Sequence, residues 1–276
     1  MAPAIQAAFI AVGLLVGFVA GLIGIGGGVL MVPFLYFVYE TSFGGATVGT
    51  GEVAAVAHAT SLFVIVPTAI VGVHAYARAG LVAWRAAVPI GLFSLIGGVL
   101  GARLALMLPE EALKIAFGLF LIATAIQLVL QPERRSTRPL RIDLRLMAPV
   151  GVLVGIFSAI LGVGGGLVAI PLLLYFVGLG VERVAATSLA IIVFAATAGT
   201  ATYMLSGSGT AGLPAGSIGY VHTVAALPLM LGAVFTVRLG TCVNQRMGTR
   251  ALQWVFAIVL FSLGARLVLQ GVPGLV

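Results

Sequence analysis

Two glycine triplets, Gly26-Gly27-Gly28 and Gly164-Gly165-Gly166, carry the chemistry this chain offers most directly. Each lies inside a long apolar stretch, with a further glycine two residues before it (Gly24, Gly162) and a proline five residues after it (Pro33, Pro171). A glycine run interrupts a helix. A helix that restarts just after Gly28 or Gly166 presents unpaired N–H groups and the positive end of its dipole. Such an end is an anion site, and near the middle of a bilayer it would bind an anion without a full buried cation. The competing reading is close helix packing through small residues. Packing alone would not demand three consecutive glycines twice, each with the same trailing proline.

Other side chains could complete such a site. Thr60-Ser61 and Thr187-Ser188 fall near the starts of two equivalent apolar segments. Their hydroxyls either donate to an anion's oxygens or bond back to carbonyls of the preceding turn. Arg103 and Arg238, late in another equivalent pair, either snorkel to the interface or form a cationic vestibule that concentrates anions. His58, His74 and His222 are the titratable groups inside apolar segments that change charge near neutral pH. Each is read as a hydrogen-bonded helix residue or a proton carrier, and His58, two residues before Thr60, is the candidate carrier. The seven acids (Glu40, Glu52, Glu110, Glu111, Glu133, Asp143, Glu182) all fall in loops or at segment ends. Proton and cation pathways rely on intramembrane carboxylates, so a metal-cation carrier is disfavoured. A catalytic triad, a di-acid dyad and a zinc site are disfavoured on the same ground. No catalytic residue, metal site or cofactor is expected. The single cysteine, Cys242, excludes an internal disulfide and reads as a small buried apolar filler.

The elements that must position these residues are membrane helices. The chain is 61% hydrophobic and 8% charged, against about 45–50% and about 25% in ordinary soluble domains. Apolar windows of about 20 residues recur, each long enough to cross the hydrocarbon, so the lipid bilayer is the expected partner. The N-terminus lacks the basic region of a signal peptide and reads as a retained membrane helix. The net charge of +7 comes from basic residues in short loops beside apolar segments. The positive-inside rule accounts for them, and nucleic acid is not an expected partner. The first half holds apolar segments at about 5–23, 29–39, 53–76, 82–108 and 113–130; the second holds 146–161, 167–179, 185–205, 218–239 and 251–270.

The order of segments repeats. The glycine motifs superpose at an offset of 138 residues, Ala59-Thr60-Ser61-Leu62 matches Ala186-Thr187-Ser188-Leu189 at 127, and Gly72 and Tyr76 match Gly199 and Tyr203 at 127. The shorter offset implies an insertion in the first half, between Glu40 and Val53. The expected organisation is one transmembrane domain over 1–276: repeat 1 (1–130), a basic cytoplasmic hinge loop (131–145) and repeat 2 (146–276). The fold class is an all-α polytopic membrane protein of about eight to ten membrane segments. Each repeat contains a glycine-broken helix. Five crossings per half put Arg78, Arg85, Arg134, Arg135, Arg138, Arg141, Arg145, Arg183, Arg246 and Arg250 on one side, which favours inverted repeats. Short segments that dip in and return would instead give eight crossings. The sequence is compatible with a homo-oligomer.

The doubled Gly-x-Gly-Gly-Gly-x-x-x-x-Pro motif (Gly24 to Pro33, Gly162 to Pro171), the two Ala-Thr-Ser-Leu stretches and the basic central loop resemble the sulfite exporter TauE/SafE family over nearly the whole chain. The resemblance implies a bacterial inner-membrane protein usually counted at about eight helices. It also implies a sulfur-containing anion, such as sulfite, sulfoacetate or a related organosulfonate, as substrate. The combined expectation is a transporter that exports a small anionic substrate by alternating access. Gly26–Gly28 and Gly164–Gly166 would supply backbone donors, and Thr60, Ser61, Thr187 and Ser188 would orient the oxygens. The alternatives are a proton-linked anion importer using His58, an anion channel, or a non-transporting membrane scaffold.

Overall fold

The computed structural model describes residues 3–41, 52–130, 143–244 and 250–271. Most of the expected insertion (42–51), most of the hinge (131–142), and Glu133, Arg134, Arg135, Arg138, Arg141 and Arg246 lie outside them. Each of the ten apolar segments contains a helix, although the ninth, expected over 218–239, begins in a strand pair and is helical only from Thr223 to Asn244: α1 (Pro3–Ile23), α2 (Gly28–Thr41), α3 (Val53–Arg78), α4 (Trp84–Met107), α5 (Glu110–Leu130), α6 (Leu144–Leu161), α7 (Gly166–Leu172), α8 (Val181–Ser206), α9 (Thr223–Asn244) and α10 (Arg250–Gly271). Helix α7 runs into a π-helical turn, Leu173–Val177, just past Pro171, which lacks the amide its turn would donate. Asp143 caps α6 by accepting from the Arg145 amide at 3.0 Å. Glu110 and Glu111 open α5, where their charge suits the helix dipole. The only strands among the described residues are β1 (Ser217–Ile218) and β2 (Val221–His222), a two-residue antiparallel pair just before α9.

Six of the described helices, α1, α3, α4, α6, α8 and α9, are long and apolar enough to cross a bilayer. Helix α2 and the α7 segment are shorter. Helix α5 carries Glu110, Glu111 and Lys114 in its first turns. The outward faces are apolar in register: Leu92, Ile96, Leu100 and Leu104 on α4 match Leu227, Leu231, Phe235 and Leu239 on α9, and all eight are exposed. Exposed apolar stripes of that length, on helices long enough to cross a bilayer, suit a lipid surround. The chain is a multi-pass membrane protein.

In lipid, helices gain little from burying carbon against carbon, so they associate through small residues that let backbones meet. Helices α1 and α9 do this in parallel: Gly13, Gly17 and Gly21 meet Leu229, Ala233 and Val237 in order. A Cβ on Gly17 would stand 2.0 Å from the Ala233 carbonyl oxygen. Helices α4 and α6 repeat the arrangement, Gly97 and Gly101 lying against Val152 and Ile156, and Gly151 and Gly155 against Ile90 and Ser94. Helices α5 and α10 cross antiparallel with Gly118 against Gly264. At the centre α3 and α8 run antiparallel, with Gly72 against Leu189 and Leu62 against Gly199.

The short helices double back. A Cβ on Gly27 would touch Val16 and Ala20 of α1, and the rings of Phe9 and Phe34 meet edge-on at 5.3 Å. Gly165 lies likewise over Val154 and Ser158 of α6. Each glycine break is therefore the tip of a helical hairpin rather than a gap in one continuous helix, so the short helices return along α1 and α6 and do not add the successive crossings that five crossings per half would need.

Candidate functional site

The two hairpin tips meet. A Cβ on Gly28 would fall 2.6 Å from the Gly162 oxygen and 2.6 Å from the Val163 Cα. One on Gly166 would fall 2.6 Å from the Ile25 Cα. Ile65 and Ile192 stand beside this junction, Ile65 next to Gly28 and Gly164, Ile192 next to Gly26, Gly164 and Gly166. Both isoleucines lie about midway along α3 and α8 and are essentially fully buried. The sequence-predicted glycines are thus brought together in the interior, at mid-height of the two central helices. Ile65 and Ile192 pack into the junction between the tips. An apolar crevice lined by Val19, Ile25, Val29, Leu167, Thr124 and Leu260 runs alongside.

The local sequence explains the turns. Gly24, Gly26, Gly27, Gly162, Gly164 and Gly165 all have φ between +66° and +86°, the left-handed region that glycine enters without steric cost. The Gly24 amide still donates to the Ala20 carbonyl, and Leu30 and Met31 donate to Gly27. Among the described residues, the amides of Gly26, Gly27, Gly28, Gly164, Gly165 and Gly166 donate to no carbonyl or side chain. Buried bare amides are rare in folded proteins, and six at one junction form a concentrated field of donors.

The hydroxyl pairs tie the rest of the molecule to this junction. The Ser61 hydroxyl donates to the Gly162 carbonyl at 2.8 Å, and that of Ser188 reaches the Gly166 carbonyl at 3.4 Å. Thr60 Oγ1 accepts from the His222 amide at 3.0 Å, just before α9; Thr187 Oγ1 accepts from the Ala83 amide at 3.1 Å, just before α4. Both threonines therefore hold the entry of a helix from the opposite half. Tyr76 and Tyr203 match by spacing in the sequence, yet nothing there marks them as part of the site. They donate to the Gly21 and Ala159 carbonyls at 2.7 and 3.0 Å. These carbonyls lie in the last turns of α1 and α6, where intrahelical partners run out.

His58 is fully buried, its backbone against Gly162 and its Nε2 3.0 Å from the Tyr36 hydroxyl. Phe117 packs near its ring, and Lys114 lies over the Tyr36 ring while paired with Glu40 and Glu110 at 2.8 Å each. His222 lies just outside the spans, its Nδ1 3.1 Å from the Tyr39 hydroxyl. Burial pushes that imidazole down to about 4. His74 is exposed. Arg103 and Arg238 are exposed on matching faces of α4 and α9, beside Leu104 and Leu239 and away from the tips, and the described residues give them no ion pair. Cys242 is exposed and not the buried filler expected, because it follows Thr241 onto the outer face of α9. No cluster of three or more histidine, cysteine or acidic side chains occurs among the described residues.

The comparisons with known proteins find membrane transporters. The chain is 30% identical over 92% of its length, and 92% of the relative's, to a probable membrane transporter protein of Methanocaldococcus jannaschii. It is 27% identical to the probable membrane transporter protein YunE of Bacillus subtilis, over 95% of this chain and 97% of that one. A probable membrane transporter protein of Haemophilus influenzae is 26% identical over 94% and 96%. No solved structure gives a significant match. The family described as sulfite exporter TauE/SafE matches residues 9–267, so this chain, with its paired glycine hairpins and inside-out apolar surface, belongs to the TauE/SafE family.

Proposed function

We propose that this protein is an anion transporter of the bacterial inner membrane that exports sulfite, sulfoacetate or a related organosulfonate by alternating access. A member of this family is a transporter and not an enzyme. The observation that carries the reading is the meeting of two glycine turns with bare amides at mid-height of α3 and α8. Transporter folds commonly bind substrate where two interrupted helices meet near the midplane, with helix N-termini offered to anionic groups. Ile65 and Ile192 close the junction in this conformation. Loading would require the hairpins to part, with Thr60, Ser61, Thr187 and Ser188 released in turn to orient the substrate's oxygens.

Inverted repeats fit the directions of the helices. Helices α3 and α8 oppose one another, as do α5 and α10, and the α1–α9 partnership is matched by α6–α4. Followed helix by helix, these directions bring Arg78, Arg85, Arg145, Arg183 and Arg250 to one end, with Asp143 and Glu182. Glu40, Glu52, Glu110 and Glu111 come to the other, with Arg103, Lys114 and Arg266. The positive-inside rule then assigns the central loop to the cytoplasm. Efflux of an anion from a negative interior is downhill by about 2.3 kcal/mol per charge per 100 mV, so export needs no proton relay.

Purified protein in liposomes loaded with sulfite, sulfate, thiosulfate, sulfoacetate or taurine tests the proposal. Saturable, potential-dependent efflux of a sulfur anion that the Gly27→Leu, Gly165→Leu variant abolishes is the expected result. Full function in that variant, once inserted, would favour a scaffold. Uptake that collapses with uncoupler and with His58→Gln would favour a proton-linked importer, and flux that never saturates would favour a channel.

A further inference from the structure

We infer that the anion is held one-sidedly, at the second glycine turn, with the Ser158 hydroxyl and the His58 Nδ1–H as its side-chain donors. The inference rests on the transport reading and specifies its binding site. The two turns are equivalent in backbone but not in what surrounds them. Gly165 packs on Val154 and Ser158, as Gly27 packs on Val16 and Ala20. Gly162 packs on His58, as Gly24 packs on Ala185. Both positions that are alanine at the first turn are polar at the second.

Both polar side chains are fully buried, at 0% exposure, and both carry an atom with no hydrogen-bond partner: Ser158 Oγ and His58 Nδ1. Buried polar groups left unpaired are uncommon and call for a ligand or another explanation. The other unpaired buried atoms among the described residues lie elsewhere, on Glu52 before α3, Thr200 two turns beyond Ile192, and Ser217 in β1. The buried Tyr36 hydroxyl has one partner among the described residues, His58 Nε2. We assign the tautomer that leaves no tyrosine hydrogen unpaired: Tyr36 donates to Nε2, and the neutral imidazole carries its hydrogen on Nδ1. Ser158, packed on Gly165, and His58, packed on Gly162, each bring an unpaired buried polar atom to the two flanks of this turn, without a carboxylate, a set suited to an oxyanion.

The test is sulfite titrated into the full-length protein in nanodiscs, with ¹⁵N-labelled histidine as reporter. The expected result is a shift of the His58 Nδ1 resonance, with His74 and His222 unmoved. Ser158→Ala should weaken the apparent affinity for sulfite about tenfold, as loss of a hydrogen bond to a charged group does. Ala20→Ser, which adds the same hydroxyl at the first turn, should change it less than about twofold. The His58 reporter is read on wild-type protein, so a variant that fails to fold does not decide the matter. Sulfite that binds and crosses while His58 stays silent and Ser158→Ala is unchanged overturns the inference and leaves the transport reading standing. Wild type that neither binds nor moves any sulfur anion in the panel overturns both.

Discussion

Gly28 and Gly80 separate steric cost from conformational cost. Gly80, in the turn after α3, has φ +70° and nothing within 4 Å of where a Cβ would stand, so Gly80→Ala meets only left-handed strain, about 1–2 kcal/mol. Gly28 is not left-handed, yet its Cβ would strike Gly162 and Val163 backbone at 2.6 Å. Backbone cannot rotate aside as a side chain can. Gly28→Ala is therefore expected to force the tips apart, lowering the unfolding temperature more than Gly80→Ala and cutting anion flux at least tenfold. Thermal unfolding in detergent and liposome flux check both. His222 gives a pH signature. Its folded value of about 4 lies below the ordinary histidine value of about 6.5, so below that pH the unfolded chain takes up a proton the folded one refuses. Stability is full above about pH 6.5 and falls as pH drops toward 4, by at most about 1.4 kcal/mol per unit. His222→Gln should flatten that slope in unfolding measured from pH 4.5 to 8.

The threonines and the glycine stripes act between elements. Thr60 and Thr187 each accept from the backbone amide just before α9 or α4, and valine would leave that buried donor unpaired. Thr60→Val or Thr187→Val should cost about 1–3 kcal/mol. Amide hydrogen exchange should quicken at the start of α9 in the first variant and of α4 in the second. Gly17 and Gly240 lock α1 to α9 backbone to backbone. Gly17→Leu should separate the pair, seen as loss of monodisperse protein after extraction, whereas Leu231→Ala on the lipid face of α9 should be nearly silent. The spacing of Thr60-Ser61 and Thr187-Ser188 marks them as a repeated pair. It does not reveal that their partners lie in the other half, 162 residues away for Thr60, because such contacts exist only after the halves dock.

The whole molecule makes a prediction about sidedness. Ala79 and Ser208 occupy corresponding connections, α3–α4 and α8–α9, and both are exposed. If the halves are inverted, an impermeant thiol reagent applied to intact cells should label Ser208→Cys and spare Ala79→Cys, each in a Cys242→Ser background. Labelling of both from the same side would end the inverted reading. The asymmetry between halves also emerges at this scale. The connection 207–222 carries the β1–β2 pair and His222, where the first half has only the short turn 79–83.

Composition and the spacing of apolar runs already determined a polytopic helical protein, most of its helices near their observed limits (the ninth, read over 218–239, is helical only from Thr223 to Asn244), and the two glycine motifs as its focus. Those features follow from local rules, since lipid forbids unpaired backbone except at a few points and glycine and proline mark where those points fall. Tertiary structure decided that the short helices turn back as hairpins, that the tips touch with Ile65 and Ile192 between the central helices, and that Arg103 and Arg238 face outward. It alone set His58 and Ser158 against the second turn. Hydropathy measures how strongly each residue avoids water. It holds no record of which backbone approaches which, and that record is fixed by glycine-to-backbone contacts between segments remote in sequence.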